Sequence, residues 1–485
     1  MHHARTILFC ALLLSFTTGA ATRPTTRHEE SAEIAAFWTA DRIHTIHIAV
    51  SAQQWQMSEP IRGRPLERIA ATAMKPPSTQ PTTRIVQTTA ATTQPGPYKE
   101  GQRLEPNFYG MQFAYVKSRF ECNGVVLNDV GFRQRGNSSF NWAGGGPKRP
   151  FKIDFNRFVD DQRFLGMAGF YLNNNAYDPS QMRETLAYEL FRNLGVKAPR
   201  TTYARVYLTI DGRLNREYLG LYTLIEEIDS AAFLKHDFGS SKGLLLKPWS
   251  IQGLPYFGED WRAYESRYNV EGGFEPDRAQ RVIDFIKLVN YADDDAFEKQ
   301  IESYLDVKGF LGLLAGQVLL SNLDCFLFTG HNFYMYLNPD DNRFTLMPWD
   351  LNLAFASFDS VAPSDTLILL SAMHPHTGQM KLIDRLLEIP AYREMYRAML
   401  EQAIAGFFSP QKMAERIDAI NALLAPATTR PAGARFQLVS AAGWQGHAAP
   451  DLKDFVTRRT ASIREQLAGQ ADGFTPGQRT RRRNR

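Results

Sequence analysis

The hydrophobic pattern of this chain changes period once, and that change constrains the fold more than any other feature. From Phe108 onward, residues alternate apolar and polar, as in "FAYVKSRFECNGVVLNDVGFRQRG". The Asn123-Gly124 pair between two alternating runs marks a β-hairpin, because both residues tolerate the left-handed backbone of a tight turn. Upstream, His44, Ile46, Ile48 and Val50 share one face of a further strand. Later strands are expected in "FKIDF", "TTYARVYLTI", "YLGLYTLIEEI" and "GLLLK". Helical periodicity then takes over across 275–290, 306–320 and much of 378–467. It is broken by an embedded hairpin, "NFYMYL" and "RFTLM", whose second strand ends in Pro348-Trp349-Asp350. A sheet-rich half carrying one helix, followed by a helical half, is an α+β chain expected to form two lobes.

That one early helix is well marked. "DPSQMRETLAYELFRNLG" offers Asp178 as N-cap, Pro179 at N1, Gln181 at the capping-box position and Gly195 as the stop. Met182, Leu186, Leu190 and Leu194 make its apolar stripe. Arg183 shares a side with Leu190 and Leu194, so it needs a carboxylate or phosphate partner.

The first residues combine His2, His3 and Arg5 with the apolar run "ILFCALLLSF" and the small residues "TTGAA", the pattern of an export signal cleaved near residue 21. No second apolar run is long enough to span a membrane. Residues 71–97, rich in Thr, Pro and Gln, read as a flexible insertion, and 468–485 as a disordered basic tail. Of 485 residues, 22% are charged and the net charge is +4, part of it in "RTRRRNR". The body is near neutral, so nothing in it points to a nucleic-acid groove. Past the signal only Cys122 and Cys325 remain, too few for a disulfide framework, and they are expected as buried thiols.

Burying an unpaired carboxylate is costly, so Asp350 at the tip of a buried strand requires an arginine, a backbone cap or a metal ion. The order of the other polar groups narrows the choice. A Gly- and Arg-rich loop, "RQRGNSS", supplies Arg135, Asn137 and Ser138, with amides and hydroxyls suited to phosphate. Lys152 follows on the next strand and Glu184 in the next helix. The acidic stretch "EEID" precedes the helical half. Asn322, Asp324, His331 and Asn332 interrupt apolar segments before the hairpin, and Asp350 closes it. Nucleotide phosphoryl transfer needs such parts in this order: a phosphate-covering loop, a lysine positioned by a glutamate, a carboxylate beside the attacking hydroxyl and another on a metal. Taken singly, each has a plainer explanation: a strand lysine, a surface glutamate, an exposed loop, a polar network pinning the hairpin. His331 reads as a hydrogen-bonding scaffold residue, and "HPH" at 374–376 as a loop.

Together "GFRQRGNSS", "KRPFKIDFN", "MRETLAYELFRNLGVKAPRTTYARVYL", "GLYTLIEEID", "NLDCF…HNFYMYL" and "MPWDLNLAF" resemble the spore coat protein H (CotH) kinase family. The resemblance runs from about Arg42 to Leu467, interrupted by the insertion, and implies a kinase-like domain over 33–467. It implies an atypical protein-kinase-like fold with two lobes. It also implies ATP and magnesium (or manganese) as cofactors, and Ser or Thr of a protein partner as acceptor. By resemblance Asp324 matches the catalytic-loop aspartate and Asp350 the metal-binding one. Asn332 is placed with Asp350 as a metal ligand; Lys152 and Glu184 are assigned from the order of elements. The family often carries a second acid two residues after the metal aspartate, where this chain has Asn352. Two other readings compete with an exported Ser/Thr kinase. One is a non-catalytic surface or envelope assembly protein on the same fold. The other is a glycoside hydrolase built on two carboxylates.

Overall fold

Seven strands close into a barrel in the order Ile43–Val50, Val116–Cys122, Val125–Gln134, Phe151–Asp154, Gly169–Asn173, Leu214–Glu226 and Thr201–Ile210. The computed structural model describes residues 31–62, 99–104, 106–107, 110–429, 436 and 443–477. The expected signal, the 71–97 insertion and the last eight residues lie outside them. Neighbouring barrel strands run antiparallel except at the closing seam, where Ile43–Val50 lies parallel to Thr201–Ile210. Asn123 and Gly124 take φ of 50° and 89°, so the hairpin turns where the sequence places it. Alternation sends Ile46, Ile48, Phe120, Phe132, Phe151, Ile153, Phe170 and Leu224 inward, where they fill the barrel. The same alternation sets Arg133, Lys152 and Tyr171 side by side on the outer face, in register across three strands.

The marked helix starts later than its capping signals suggest, at Arg183, and ends at Asn193. Asp178 caps from a distance. Its carboxylate accepts from the backbone of Ser180 and of Arg183, both at 3.0 Å, while Gln181 turns through a left-handed φ of 57°. The same carboxylate meets the buried Arg183 guanidinium at 2.7 Å, which answers that arginine's need for a partner. Gly195, with φ of 76°, stops the helix as expected.

In the second half, helices Pro276–Tyr291, Val307–Leu319, Lys381–Glu388, Pro390–Ala405, Pro410–Thr428 and Leu452–Leu467 match the expected stretches; Ala231–Phe238 and Asp294–Tyr304 are additional. The hairpin Phe333–Leu337 and Phe344–Pro348 is half of a four-stranded sheet completed by Leu244–Pro248 and, at its edge, Tyr268–Gly272. That edge strand escapes sequence reading because only Tyr268 of its five residues is buried. A second core surrounds the helix Val307–Leu319, which is buried from Phe310 onward. Arg459 is buried within it and donates to the carbonyls of Val318, Ile368 and Leu370. Beyond the last helix the chain stays attached: Phe474 bridges Leu370 and exchanges backbone hydrogen bonds with Leu369 and Ser371. Residues 468–477 are therefore not the disordered tail expected from composition. Cys122 and Cys325 are free and buried. Among the described residues no helix is long and apolar enough to cross a membrane.

Candidate functional site

Asp350 leaves the strand Phe344–Pro348 in a left-handed conformation, φ 55°, that aspartate adopts more readily than bulkier residues. The turn is fixed from both sides. The Trp349 amide donates to the Asn332 carbonyl at 3.0 Å, and Asn332, itself at φ 59°, donates Nδ2 to the Asp324 carbonyl at 2.9 Å. Ser321, Phe355 and Ala356 are also left-handed. Such clustering of uncommon backbone conformations is a mark of functional sites. The Asp324 carboxylate meets His331 Nε2 at 3.1 Å, and His331 stacks on Trp249 with ring centroids 4.7 Å apart.

These constraints bring the two aspartates to one cleft. Burial raises the Asp350 carboxyl above the usual range, and the neighbouring Asp324 charge raises it further; Arg135 and Lys247 oppose both. Asp350 makes no side-chain hydrogen bond among the described residues. The question of its partner is therefore answered by two nearby cations without a closed ion pair.

Glu184 lies against Asp350. It is 4% exposed, accepts from Asn173 Nδ2 at 2.8 Å, and its carboxyl is pushed up to about 8, first by burial and then by the Asp350 charge. It does not pair with Lys152, contrary to the expected lysine–glutamate arrangement. Lys152 is held instead by Glu227 Oε1 at 2.5 Å, Asp229 Oδ2 at 3.5 Å and the Tyr171 hydroxyl at 3.3 Å. Burial opposes its charge, but Asp229 and Glu227 outweigh burial and hold the ammonium well above its ordinary range. The reason is topological. The strand Leu214–Glu226 pairs with Gly169–Asn173, so its exit delivers "EEID" to the outer face beside Lys152.

Arg135 reaches the cleft. It donates to Asn173 Oδ1 at 2.6 Å and lies 4.4 Å from the Tyr171 ring centroid and 6.0 Å from that of Trp349. Asn137 and Ser138 serve the loop itself. Asn137 Oδ1 accepts from Asn107 at 2.6 Å, and Ser138 opens the short helix Ser138–Trp142 while its carbonyl accepts from Tyr177. Neither hydrogen-bonds to Asp324, Asp350 or Lys152. Tyr171 and Lys247 are cleft residues that sequence reasoning missed, while Glu227 and Asp229, noted within "EEID", and Trp349, noted in the Asp350 turn, were not assigned to it. For Lys247 the only signal is a lysine closing the apolar run "GLLLK".

Asp324 and Asp350 offer hard carboxylate oxygens, and Asn332 keeps its Oδ1 once Nδ2 is bonded to Asp324. That donor set suits magnesium, which retains waters and takes few protein ligands. Among the described residues no three His, Cys, Asp or Glu side chains form a metal cage. His376 bonds Asp384 at 3.0 Å, so "HPH" has a structural role. A cavity of about 220 Å³ lies behind Glu227, lined by Trp38, Met167, Arg200 and Lys235; it includes neither Asp324 nor Asp350.

Residues 132–463 match the family model described as CotH kinase protein. The chain belongs to this family. It is 23% identical over 275 residues to inner spore coat protein H of Bacillus subtilis (strain 168), covering 56% of this chain and 71% of that protein. An inner spore coat protein H-like protein of the same organism is 26% identical over 259 residues, 53% and 68% of the two chains. Invasin CotH7 of Rhizopus delemar is 21% identical over 266 residues, 53% of this chain and 42% of the invasin.

Proposed function

We propose that this CotH-family chain is an atypical protein kinase of two lobes, the barrel forming one and the helical half the other. It transfers the γ-phosphate of ATP to Ser or Thr hydroxyls of a protein partner. The observation that carries the reading is the convergence of Asp324, Asp350 and Arg135, with Lys152 on the same barrel face, from distant points of the chain. Asp324, oriented by His331, accepts the proton of the acceptor hydroxyl. The hydroxyl oxygen bonds to the γ-phosphorus as the bridging P–O bond breaks and ADP leaves. Asp350 and Asn332 would hold a magnesium ion, which when bound neutralises charge developing on the phosphates. Arg135 supplies fixed positive charge at the same place and needs no reorganisation during transfer. The names of the relatives, two spore coat proteins and an invasin, support work at a cell or spore surface.

Those names also favour a second reading, a surface assembly protein that retains the fold without catalysis. Transfer from radiolabelled ATP with magnesium or manganese separates the two. Label on the wild type and none on Asp350→Asn, with both chains folded, supports the kinase. No label and no nucleotide-induced thermal shift in the wild type supports the assembly protein.

A further inference from the structure

The two lysines of the cleft differ in what their ammonium groups have left to give. A lysine has three N–H donors and no acceptor. At Lys152 all three have protein partners: Glu227, Asp229 and the Tyr171 hydroxyl. Two carboxylates around one ammonium leave that cluster with no surplus positive charge. Lys247 is the reverse case. It forms no ion pair and no side-chain hydrogen bond among the described residues. Its ammonium lies 5.1 Å from the Tyr334 ring centroid and 5.6 Å from that of Trp349. Its place in the fold is specific. The strand Leu244–Pro248 pairs with Phe333–Leu337, which pairs with the strand that ends in Asp350. Trp349 is shared by Lys247 and Arg135, which with His331 oppose the raised Asp350 carboxyl. Burial draws the Lys247 pKa down, and the Arg135 charge adds to it; Glu271, Asp229 and Asp350 pull the other way through space without outweighing them. No anion among the described residues closes an ion pair with this ammonium.

We infer that Lys247, together with Arg135, grips the phosphate oxygens of the nucleotide, while Lys152 ties the barrel to the Glu227–Asp229 segment. This rests on the kinase reading and revises which lysine performs the phosphate contact. The aromatic rings under both cations hold them by cation–π attraction, and of the two only Arg135 spends a donor on the protein, to Asn173 Oδ1. Lys152 then positions Tyr171, which carries Arg135 on its ring.

The test is a fluorescence titration of N-methylanthraniloyl-ATP with magnesium against the wild type, Lys247→Gln, Lys247→Arg and Lys152→Gln, beside thermal unfolding of each. Lys247→Gln should weaken binding about 10- to 100-fold, the loss of one charge-assisted contact, and Lys247→Arg should recover most of it. Because Lys247 closes no ion pair or hydrogen bond among the described residues, Lys247→Gln should melt close to the wild type. Lys152→Gln leaves two buried carboxylates unpaired and should melt well below it. Wild-type binding that Lys247→Gln leaves unchanged overturns the inference and spares the kinase reading. A wild type that binds no nucleotide overturns both.

Discussion

Glu184 offers a measurement that isolates one charge. Its carboxyl is 4% exposed and lies beside Asp350, and its folded-state pKa stands at about 8 against an ordinary 4.5. The folded chain therefore binds a proton that the unfolded chain releases between those two values. Stability from this group is fully present below pH 4.5 and is lost as pH rises through the window toward 8. Each pH unit inside the window costs up to about 1.4 kcal/mol, so the whole window costs at most about 5 kcal/mol. Glu184→Gln keeps the shape and the acceptor for Asn173 Nδ2 while removing the titration. In metal-free buffer, wild type and variant should unfold together near pH 4.5 and diverge steadily above it. At pH 8 the variant should be the more stable by several kcal/mol, read from urea or thermal midpoints across pH 4.5 to 8.5. Parallel curves for the two proteins over that range would refute the reasoning, because they would mean that Glu184 is ionised at no cost.

Three further outcomes follow from the same contacts. Arg459→Ala removes every donor to the Ile368 carbonyl that Arg459 supplies and opens a cavity in the larger core. It should cost about 4 kcal/mol by denaturant unfolding. Asn332→Ala loses the bond to the Asp324 carbonyl and puts a Cβ residue without a polar side chain at φ 59°; Asn332→Gly loses the bond alone. Both should lower transfer, and the glycine variant should be about 1 kcal/mol more stable than the alanine one. Reductant should leave the melting temperature unchanged, because Cys122 and Cys325 are separate buried thiols, the former pushed up to about 12 by burial.

What could be read without coordinates was local. The Asn123-Gly124 turn, the Gly195 stop, the helical stretches of the second half and the strand carrying Asp350 follow from side-chain period and turn chemistry, which act over a few residues. Asp324 and Asp350 stood out because carboxylates interrupt apolar segments there. The helix start at Arg183 was misplaced because Asp178 caps from five residues away, a geometry the N-cap rule does not include.

Tertiary structure decided the rest. Period cannot state that Ile43–Val50 closes a barrel on Thr201–Ile210, since the paired residues lie 160 positions apart (Ile43 opposite Tyr203). Nor can it state which carboxylate a lysine meets: Glu184 was nearer in sequence, yet the strand that runs to Glu226 delivers Glu227 and Asp229 to Lys152. Lys247 was invisible for the same reason, because its strand joins the hairpin only through a sheet built from distant segments. Amino-acid order determined which groups the chain carries and the local shapes they favour. Which charges share one cleft was settled by long-range strand pairing, where burial of two whole cores outweighs any local preference.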